Sequence, residues 1–249
     1  MAGQAGETGS TSITEREELR EPTRRASFAT SHRAELQDLL ASALPGCRPA
    51  TIATLADTAR VWTAHVGDRI YRQGELVPLT LILRGYGVAE RTMNDGQQIL
   101  SGVAPAGNLF GYSGIASTLS SVEMIALTEC EIAQWPGALV RPLVVADPGF
   151  ALAAIDSMAG SLHQTMQRIE GYVHQDARRR VIRILARYRD LFFGDPAVLT
   201  RTHLPGLVGT SREMTGRVLR QLEREGVLAR VGRVGLRLLR PDLLENAPE

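Results

Sequence analysis

The stretch TSREMTGRVLRQLE, residues 210–223, decides the fold of the C-terminal part of the chain. Its side chains separate into two sides on a helical wheel of 100° per residue. One side carries Met214, Val218 and Leu222, and the opposite side carries Glu213, Gly216, Arg217 and Arg220, with Arg212 beside them. We therefore expect a helix that buries its apolar side in a three-helix core and presents guanidinium groups and a carboxylate on the other.

The segments on either side of this helix predict a winged helix-turn-helix. Residues 199–209 predict a short helix that ends in a tight turn, and residues 230–238 predict a two-stranded wing whose arginines share one face. In such a unit the second helix enters the major groove, where Arg donates to guanine O6 and N7 and Glu accepts from cytosine N4. The alternative, that Arg212 and Arg217 only solvate a helix surface, is disfavoured by these flanking elements. The candidate DNA-binding residues are Thr210, Ser211, Arg212, Glu213, Thr215, Gly216, Arg217 and Arg220.

Charge is divided unevenly along the chain, although the formal net charge is only +1. Residues 1–170 hold thirteen Arg and eighteen acidic residues, a balance of −5, whereas residues 171–249 hold fifteen Arg and nine acidic residues, a balance of +6. We therefore expect the C-terminal segment to meet a polyanion. All 28 basic residues are Arg, so there is no lysine for a Schiff base or a P-loop. Since no Ser-His-Asp constellation or metal-ligand cluster appears either, the sequence predicts that the protein is not an enzyme.

Upstream of residue 175 a long helix carries an unbroken apolar seam. The spacings in the seam are 3, 4, 3, 4, 3 and 4, and its members are Leu152, Ile155, Ala159, Leu162, Met166, Ile169 and Val173. This spacing over three heptads favours pairing with a second copy of the helix, and so a homodimer. The alternative is a single amphipathic helix packed on its own β-domain. Asp176 is predicted to cap the next helix, Ala177 to about Phe192, which makes residues 171–176 the expected hinge.

The region before the long helix predicts a β-domain. From Val61 onward, short runs of β-branched and aliphatic residues alternate with glycine turns, a pattern typical of a small antiparallel sandwich or barrel. Asp95-Gly96 is expected to turn a hairpin. Residues 1–30 predict a disordered tail. Neither a membrane helix nor a secretory signal is predicted, and two cysteines cannot form a disulfide framework, so we expect a cytoplasmic protein without membrane contact.

The helix-turn-helix resembles that of the cyclic-AMP-receptor/FNR (Crp/Fnr) family of bacterial transcriptional regulators, through Thr210-Ser211-Arg212-Glu213-x-x-x-Arg217-x-Leu219-x-x-Leu222-Glu223-x-x-Gly226. Upstream segments resemble the family's cyclic-nucleotide-binding β-roll, in the same order, so that the similarity covers roughly residues 35–245. These segments are Val66-Gly67-Asp68-x-Ile70-Tyr71-x-x-Gly74-Glu75, Leu81-Ile82-Leu83-Arg84-Gly85-x-Gly87, Asp95-Gly96, Pro105-x-Gly107-x-x-Phe110-Gly111 and Ala126-Leu127-Thr128-Glu129-Cys130-Glu131.

The resemblance implies an α+β fold with an antiparallel β-roll, a long dimerisation helix and a winged helix-turn-helix. The implied parts are residues 1–30 as a tail, 31–148 as the cyclic-nucleotide-binding-like sensor, 149–175 as dimerisation helix and hinge, and 176–249 as the DNA-binding domain. The implied partners are a second copy of the chain, double-stranded DNA with half-sites about one helical turn apart, and RNA polymerase. Arg212, Glu213 and Arg217 stand where the family reads its half-sites.

The phosphate-binding cassette departs from the family pattern. Tyr112 stands where the family has the Glu that holds the ribose hydroxyl, and Ser120 stands where it has the Arg that neutralises the cyclic phosphate. No Arg lies between residues 91 and 141, so the cassette offers no charge-assisted pair to a phosphate. We expect no tight binding of cyclic AMP. The candidate ligand-binding residues of this degenerate cassette are Gly111, Tyr112, Ser120 and Ser121, with Thr165 where the family contacts the adenine.

We expect no metal and no cofactor. An oxygen-sensing cluster would need several N-terminal cysteines, and only Cys47 lies there. Haem stays an alternative, through His65, His163, His174 or Cys130, although no pair of these residues has a diagnostic spacing. The function expected is a dimeric, sequence-specific DNA-binding regulator that reads a palindromic operator and does not respond to cyclic AMP. The alternative is an allosteric receptor for cyclic AMP or cyclic GMP with an altered cassette.

Overall fold

The computed structural model describes residues 30–93 and 98–245. The predicted disordered tail, except for Thr30, and the predicted hairpin turn at Asp95-Gly96 lie outside the described residues. The helices are α1 (Thr30–Ala43), α2 (Pro49–Thr58), α3 (Gly137–Ala146), α4 (Pro148–His174), α5 (Ala177–Arg187), α6 (Arg189–Phe193), α7 (Leu204–Val208), α8 (Arg212–Arg224) and α9 (Asp242–Glu245). The strands are β1 (Arg60–Ala64), β2 (Arg69–Tyr71), β3 (Leu79–Arg84), β4 (Tyr86–Thr92), β5 (Gln98–Pro105), β6 (Leu109–Phe110), β7 (Glu123–Ala126), β8 (Cys130–Trp135), β9 (Leu228–Val231) and β10 (Gly235–Leu238).

Two antiparallel sheets of four strands make up the β-domain. One has the strand order β1-β8-β3-β6 and the other the order β2-β7-β4-β5. The first eight strands thus form the antiparallel β-roll that the glycine-punctuated sequence predicted. A core of small and aliphatic side chains fills the roll and comprises Ala64, Ile70, Ile82, Ala104, Met124, Ala126, Cys130 and Ile132.

Glycine is required at two of the turns that the sequence marked. Gly85 has φ +88° and lies against the main-chain carbonyl of Glu129, and Gly111 has φ +94° and lies against the main-chain carbonyl of Pro78. A side chain at either position would collide with main chain that has no freedom to move, and the left-handed φ disfavours every other residue type. These turns fix how the strands follow one another in the roll.

A second core joins the first sheet to the helices around it. Trp135 at the end of β8 is fully buried, and its indole Nε1 donates to the carbonyl of Leu55 in α2 over 2.7 Å. Phe150, in the first turn of α4, is also fully buried in this core. A buried indole that keeps its hydrogen bond contributes its large apolar area without a desolvation penalty on the N–H.

The carboxylate of Asp147 starts α4 and ties it to α2. One oxygen, Oδ1, accepts from the main-chain N–H of Gly149 over 3.0 Å and so caps the helix. The other, Oδ2, accepts from Thr51 Oγ1 at 2.6 Å, from the main-chain N–H of Arg48 at 2.8 Å and from Cys47 Sγ at 3.2 Å. These donors, Thr51 foremost, hold the pKa of Asp147 well below its ordinary value.

The long helix α4 contacts its own chain along one side. The buried members of that side are Phe150, Ala153, Ala154 and Gly171. Gly171, the first residue of the expected hinge, lies within the helix, where the absence of a side chain makes room for the guanidinium of Arg183. On the same side, Arg168 donates to the main-chain carbonyls of Leu100 and Ser101 in β5. The helix is thereby bonded to the second sheet.

The chain after α4 differs from the sequence prediction at one point. Asp176 caps α5 as predicted, because its carboxylate accepts from the main-chain N–H of Arg179 over 2.8 Å. The single helix predicted from Ala177 to about Phe192 is broken at Tyr188, whose φ of −112° and ψ of 33° leave the helical region. The break redirects the chain into α6, so that Phe192 becomes fully buried.

Candidate nucleic-acid interface

The turn between α7 and α8 is built by one glycine and one serine. Gly209 ends α7 with φ +66°, a left-handed conformation that suits glycine at a helix end. Ser211 then caps α8, because its hydroxyl accepts from the main-chain N–H of Met214 over 3.1 Å. Thr210 lies half-buried between them. The short helix and tight turn predicted for residues 199–209 are therefore present, and they fix where α8 begins.

Helix α8 places its charged side chains together on an exposed face. Arg217 Nη2 and Glu213 Oε1 form an ion pair at 3.0 Å, and both side chains are well exposed. Arg212 and Arg220 are exposed as well. The guanidinium of Arg220 lies 3.6 Å from where a Cβ at Gly216 would be, so this glycine keeps the middle of the face low. The face offers cationic donors and one carboxylate in a row, which is the chemistry that base edges and phosphates can bind.

Thr215 is the one predicted DNA-binding residue that the structure turns away from the surface. Its side chain is 2% exposed, and its hydroxyl donates to the carbonyl of Ser211 over 3.0 Å. The prediction of Thr215 as a DNA contact is therefore wrong; it fastens the first turn of the helix instead. Met214 was predicted to lie in the core, but its side chain is 36% exposed. The predicted apolar side was correct for Val218 and Leu222 only. The buried side of α8 consists of Thr215, Val218, Leu219 and Leu222.

A three-helix core holds α8 in place. The buried side chains come from α5, α7 and α8, with contributions from the wing and the segments between. They comprise Val181, Leu185, Phe192, Leu199, Leu204, Leu207, Val208, Val218, Leu219, Leu222, Val227, Leu228 and Leu236. The exposed face of α8 is thus mounted on a packed support.

The predicted wing is present as the antiparallel hairpin β9–β10. Its arginines do not share one face, however. Arg230 is paired with Leu236, and Arg237 is paired with Ala229. Since directly opposed residues point to the same side and the two pairs are adjacent, Arg230 and Arg237 lie on opposite sides of the hairpin. The prediction of one shared face was wrong because Arg230 and Arg237 are seven residues apart, an odd number, so a period of two does not place them on the same side. The exposed Arg233 lies in the turn at residues 232–234.

Two polar contacts that were not predicted from sequence support the helix-turn-helix. Arg178 at the start of α5 forms an ion pair at 2.6 Å with Glu225, which ends α8. His203 Nδ1 accepts from the main-chain N–H of Thr200 over 2.9 Å, and burial lowers the pKa of this imidazole. The Arg178–Glu225 pair joins residues that are 47 positions apart, so the local sequence carries no signal for it. Thr200 and His203 are three positions apart, and their contact is local.

The residues of the degenerate cassette are directed toward different partners. Gly111 is the left-handed turn residue described above. Tyr112 is buried against the helices, and burial raises its pKa. Ser120 Oγ donates to the carbonyl of Val122 over 2.6 Å.

The other cassette positions lie at the surface. Ser121 is exposed. Thr165 on α4 is exposed too, and its hydroxyl donates to the carbonyl of Ser161 in the same helix over 2.9 Å. The guanidinium of Arg141 in α3 donates to the carbonyl of Ile115 over 3.0 Å, so an arginine from outside the cassette reaches its edge. Sequence order alone gave no indication of this contact.

The residues named for a haem alternative are scattered. His65 lies 3.7 Å from Glu129, His163 is hydrogen-bonded to Gln167, His174 is exposed at the end of α4, and Cys130 is buried in the β-roll. Within residues 30–93 and 98–245, no group of three or more His, Cys, Asp or Glu side chains is arranged to hold a metal ion.

The C-terminal geometry coincides with a match to a known domain. Residues 179–247 match the Crp-like helix-turn-helix domain, and these residues include α7, α8 and the wing. Residues 179–247 therefore carry a Crp-like helix-turn-helix domain. This match agrees with the resemblance seen in the sequence of the helix-turn-helix.

Curated Crp/Fnr relatives are transcription regulators. The chain is 28% identical over 185 residues to the cAMP-activated global transcriptional regulator Vfr of Pseudomonas aeruginosa, an alignment that covers 69% of this chain and 82% of Vfr. It is 23% identical over 172 residues to the cAMP-activated global transcriptional regulator CRP of Haemophilus influenzae, covering 66% of this chain and 74% of that protein.

Solved structures of the Crp/Fnr family share the fold. The c-di-GMP responsive global regulator CLP of Xanthomonas campestris has a TM-score of 0.66 at 23% identity, over 77% of this chain and 99% of CLP. FixK2 of Bradyrhizobium japonicum has a TM-score of 0.65 at 19% identity, over 77% of this chain and 98% of FixK2. The predicted α+β fold with β-roll, long helix and winged helix-turn-helix is confirmed.

The protein is a Crp/Fnr-type transcription regulator with a helix-turn-helix DNA-binding domain. Regulators of this family bind DNA and act as dimers. Within the described ranges no single helix is long and apolar enough to cross a membrane; α3 and α4 reach that length and apolarity only jointly, across a bend of 115°.

Proposed function

We propose that the protein is a homodimer that reads a palindromic operator through Arg212, Glu213 and Arg217, and that it does so without cyclic AMP. The observation that carries the proposal is the capped helix α8, which holds these side chains exposed on one face over a buried core. Arg donates to guanine and Glu accepts from cytosine, so the row suits a half-site that contains G·C pairs.

The seam on α4 supports the homodimer. Its large members are all exposed in the single chain, from 47% for Met166 and Ile169 to 70% for Val173. The side of α4 that contacts its own chain, which includes Ala153, Gly171 and Arg168, lies opposite the seam on a wheel of 100° per residue. The seam therefore does not pack against the β-domain of its own chain. This argues against the alternative of a single amphipathic helix packed on its own β-domain. An apolar stripe of this length and regularity fits the same stripe on a second copy.

The cassette geometry supports independence from cyclic AMP. Tyr112, at the family's Glu position, is buried, and Ser120, at the Arg position, is bonded to the main chain of Val122. Neither side chain supplies a charge to a ribose phosphate, and a phosphate without a charged partner loses the strongest bond of its site. Arg141 at the cassette edge is committed to a main-chain carbonyl.

The proposal is tested by selecting binding sites from a random DNA pool with purified protein and no added nucleotide. We expect an enriched inverted repeat whose half-sites lie about 10–10.5 base pairs apart from centre to centre. Enrichment of a single half-site, or of nothing, would contradict the palindromic operator.

Calorimetric titration with cyclic AMP and cyclic GMP tests the second part. We expect no saturable heat. Saturable binding in the micromolar range would support the alternative function, an allosteric cyclic-nucleotide receptor with an altered cassette. The similarity to the cAMP-activated regulators Vfr and CRP is the reason for testing this alternative.

A further inference from the structure

Met214 is the one large apolar residue of α8 whose side chain is exposed. It is the third residue of the helix, and it is 36% exposed, whereas Val218, Leu219 and Leu222 of the same helix are buried. Among the described residues, neither the buried cluster of the helix-turn-helix nor the partly buried side chains packed against it include Met214. The thioether side chain is therefore not part of the core that holds α8 in place.

Met214 is a surface neighbour of the side chains that are proposed to read bases. Residues three positions apart on a helix are adjacent, so Met214 lies beside Arg217. On a wheel of 100° per residue, Glu213 and Arg217 lie between Arg212 on one flank and Met214 on the other. Met214 is also in the first turn of α8, and a helix-turn-helix brings the N-terminal residues of its second helix to the base edges.

The chemistry of the side chain limits what it can contact in DNA. A thioether is uncharged and only a weak hydrogen-bond acceptor, so it gains nothing from a phosphate and cannot donate to guanine or adenine. The apolar group that bases present in the major groove is the C5-methyl of thymine. Because Met is unbranched and flexible, its side chain can adapt to a small apolar group of this kind.

We propose that Met214 reads a pyrimidine C5-methyl group in each half-site, within about two base pairs of the guanine that binds Arg217. The distance follows from the spacing of neighbouring side chains on a helix, about 5–6 Å, and of bases along a strand, about 3.4 Å. The inference rests on the proposed reading of DNA by α8 and adds an apolar contact to the charged ones. Two bases carry this methyl group, thymine and 5-methylcytosine, and the test separates them.

Base analogues test the contact on the operator that is selected from the random pool. Each thymine of the half-site is replaced in turn by uracil, which removes one methyl group and keeps every hydrogen-bonding atom. In a second series each cytosine is replaced by 5-methylcytosine, which adds the methyl group. Fluorescence anisotropy measures the affinity of the unmodified protein and of the Met214→Ala variant for every duplex.

Two further variants make the comparison specific. Met214→Leu keeps an apolar side chain at the position, so it should keep most of the response to the methyl group. Gln221→Ala is the matched control, because Gln221 is exposed two turns further along α8 on the same side as Met214. All variants should give the circular dichroism spectrum of the unmodified protein, since neither position belongs to the core.

We expect one thymine at which uracil weakens binding by the unmodified protein and by Gln221→Ala about four-fold, and about 15-fold when both half-sites are changed. The same uracil should leave the affinity of Met214→Ala unchanged. If the response is instead a gain of about four-fold at one 5-methylcytosine, lost in Met214→Ala, the methyl group that Met214 reads is that of the modified base.

The outcomes separate this inference from the proposed function. An operator that the protein prefers, but on which Met214→Ala responds to every analogue as the unmodified protein does, would overturn the role of Met214 and leave the reading by the charged face in place. The same holds if no thymine and no cytosine responds. A protein that prefers no duplex over another would contradict both, because a residue cannot read bases in a protein without sequence preference.

Discussion

On α8, two side chains with base-reading chemistry hold each other in the free protein. The Arg217–Glu213 pair at 3.0 Å is exposed, and an exposed pair of this spacing contributes only about 0.3–0.5 kcal/mol. Exchanging it for guanine and cytosine edges therefore costs little, while the pair keeps both side chains extended along the helix. Thr215 stabilises the first turn of α8, which carries Arg212 and Glu213, because its buried hydroxyl donates to the carbonyl of Ser211.

Removing the guanidinium groups tests their role. Arg212→Ala and Arg217→Ala should each weaken binding to the selected operator by about 1–3 kcal/mol, because each removes a bidentate contact to a base. Fluorescence anisotropy with the operator and with a scrambled duplex measures the difference. Arg179→Ala is the control, as it removes the same charge from an exposed position on α5. A loss that is just as large on the scrambled duplex would show that these arginines bind phosphate and do not read sequence.

At the scale of elements, α4 is fixed at its start by one carboxylate. Asp147→Asn replaces an acceptor with an amide that faces the donors of Thr51, Arg48 and Cys47, so we expect the melting temperature at pH 7 to fall by roughly 5 °C.

The effect of Asp147→Asn should also depend on pH. The pKa of Asp147 is lowered in the folded state, so its stabilisation is present above the unfolded pKa of about 3.9 and is lost as pH falls below it. Thermal melts from pH 7 to pH 3 should therefore show the two proteins converging. Asp156→Asn, exposed on the same helix, is the control. A difference that stays constant with pH would mean that the charge of Asp147 does not matter.

The seam of α4 is tested by one buried charge. Leu162→Glu places a carboxylate in the middle of the proposed helix pair, where it has no cation to meet, and we expect the dimer to dissociate. Light scattering on a sizing column should give half the mass, and operator binding should weaken with it. Gln167→Glu introduces the same group off the seam and should leave the mass unchanged. A dimer that survives Leu162→Glu would place the interface elsewhere.

At the scale of the molecule, the two halves carry opposite charge. Binding of the basic half to DNA releases counterions, so the logarithm of the affinity should fall linearly with the logarithm of the salt concentration. We expect Arg233→Ala, in the turn of the wing, to reduce the steepness of that line by about 1 and to act alike on all sequences. Arg72→Ala, exposed on the acidic half, should leave the slope as it is. An unchanged slope for Arg233→Ala would remove the wing from the phosphate contacts.

The sequence was sufficient for whatever depends on local pattern. Gly85 and Gly111 predicted turns, Asp176 predicted a cap, and the residues from Ser211 onward predicted the exposed charged face of α8. The helical wheel misplaced Met214 and Thr215, which exchange the exposed and buried positions predicted for them. The break at Tyr188 was also missed, because the apolar pattern continues through it. The docking of α7 on β5 had no signal in the sequence, since Leu100 and Gly206 look like ordinary residues of a strand and a short helix until the two domains are brought together.

The guanidinium of Arg168 joins the helix that carries the seam to the strand that carries α7. Its acceptors are the main-chain carbonyls of Leu100 and Ser101, which exist whatever side chains β5 carries. Relatives can therefore exchange the side chains of β5 and alter how firmly the DNA-binding domain is held, while the strand stays attached to the helix. The contact between β5 and the DNA-binding domain can therefore change without loss of the hydrogen bonds that join β5 to α4.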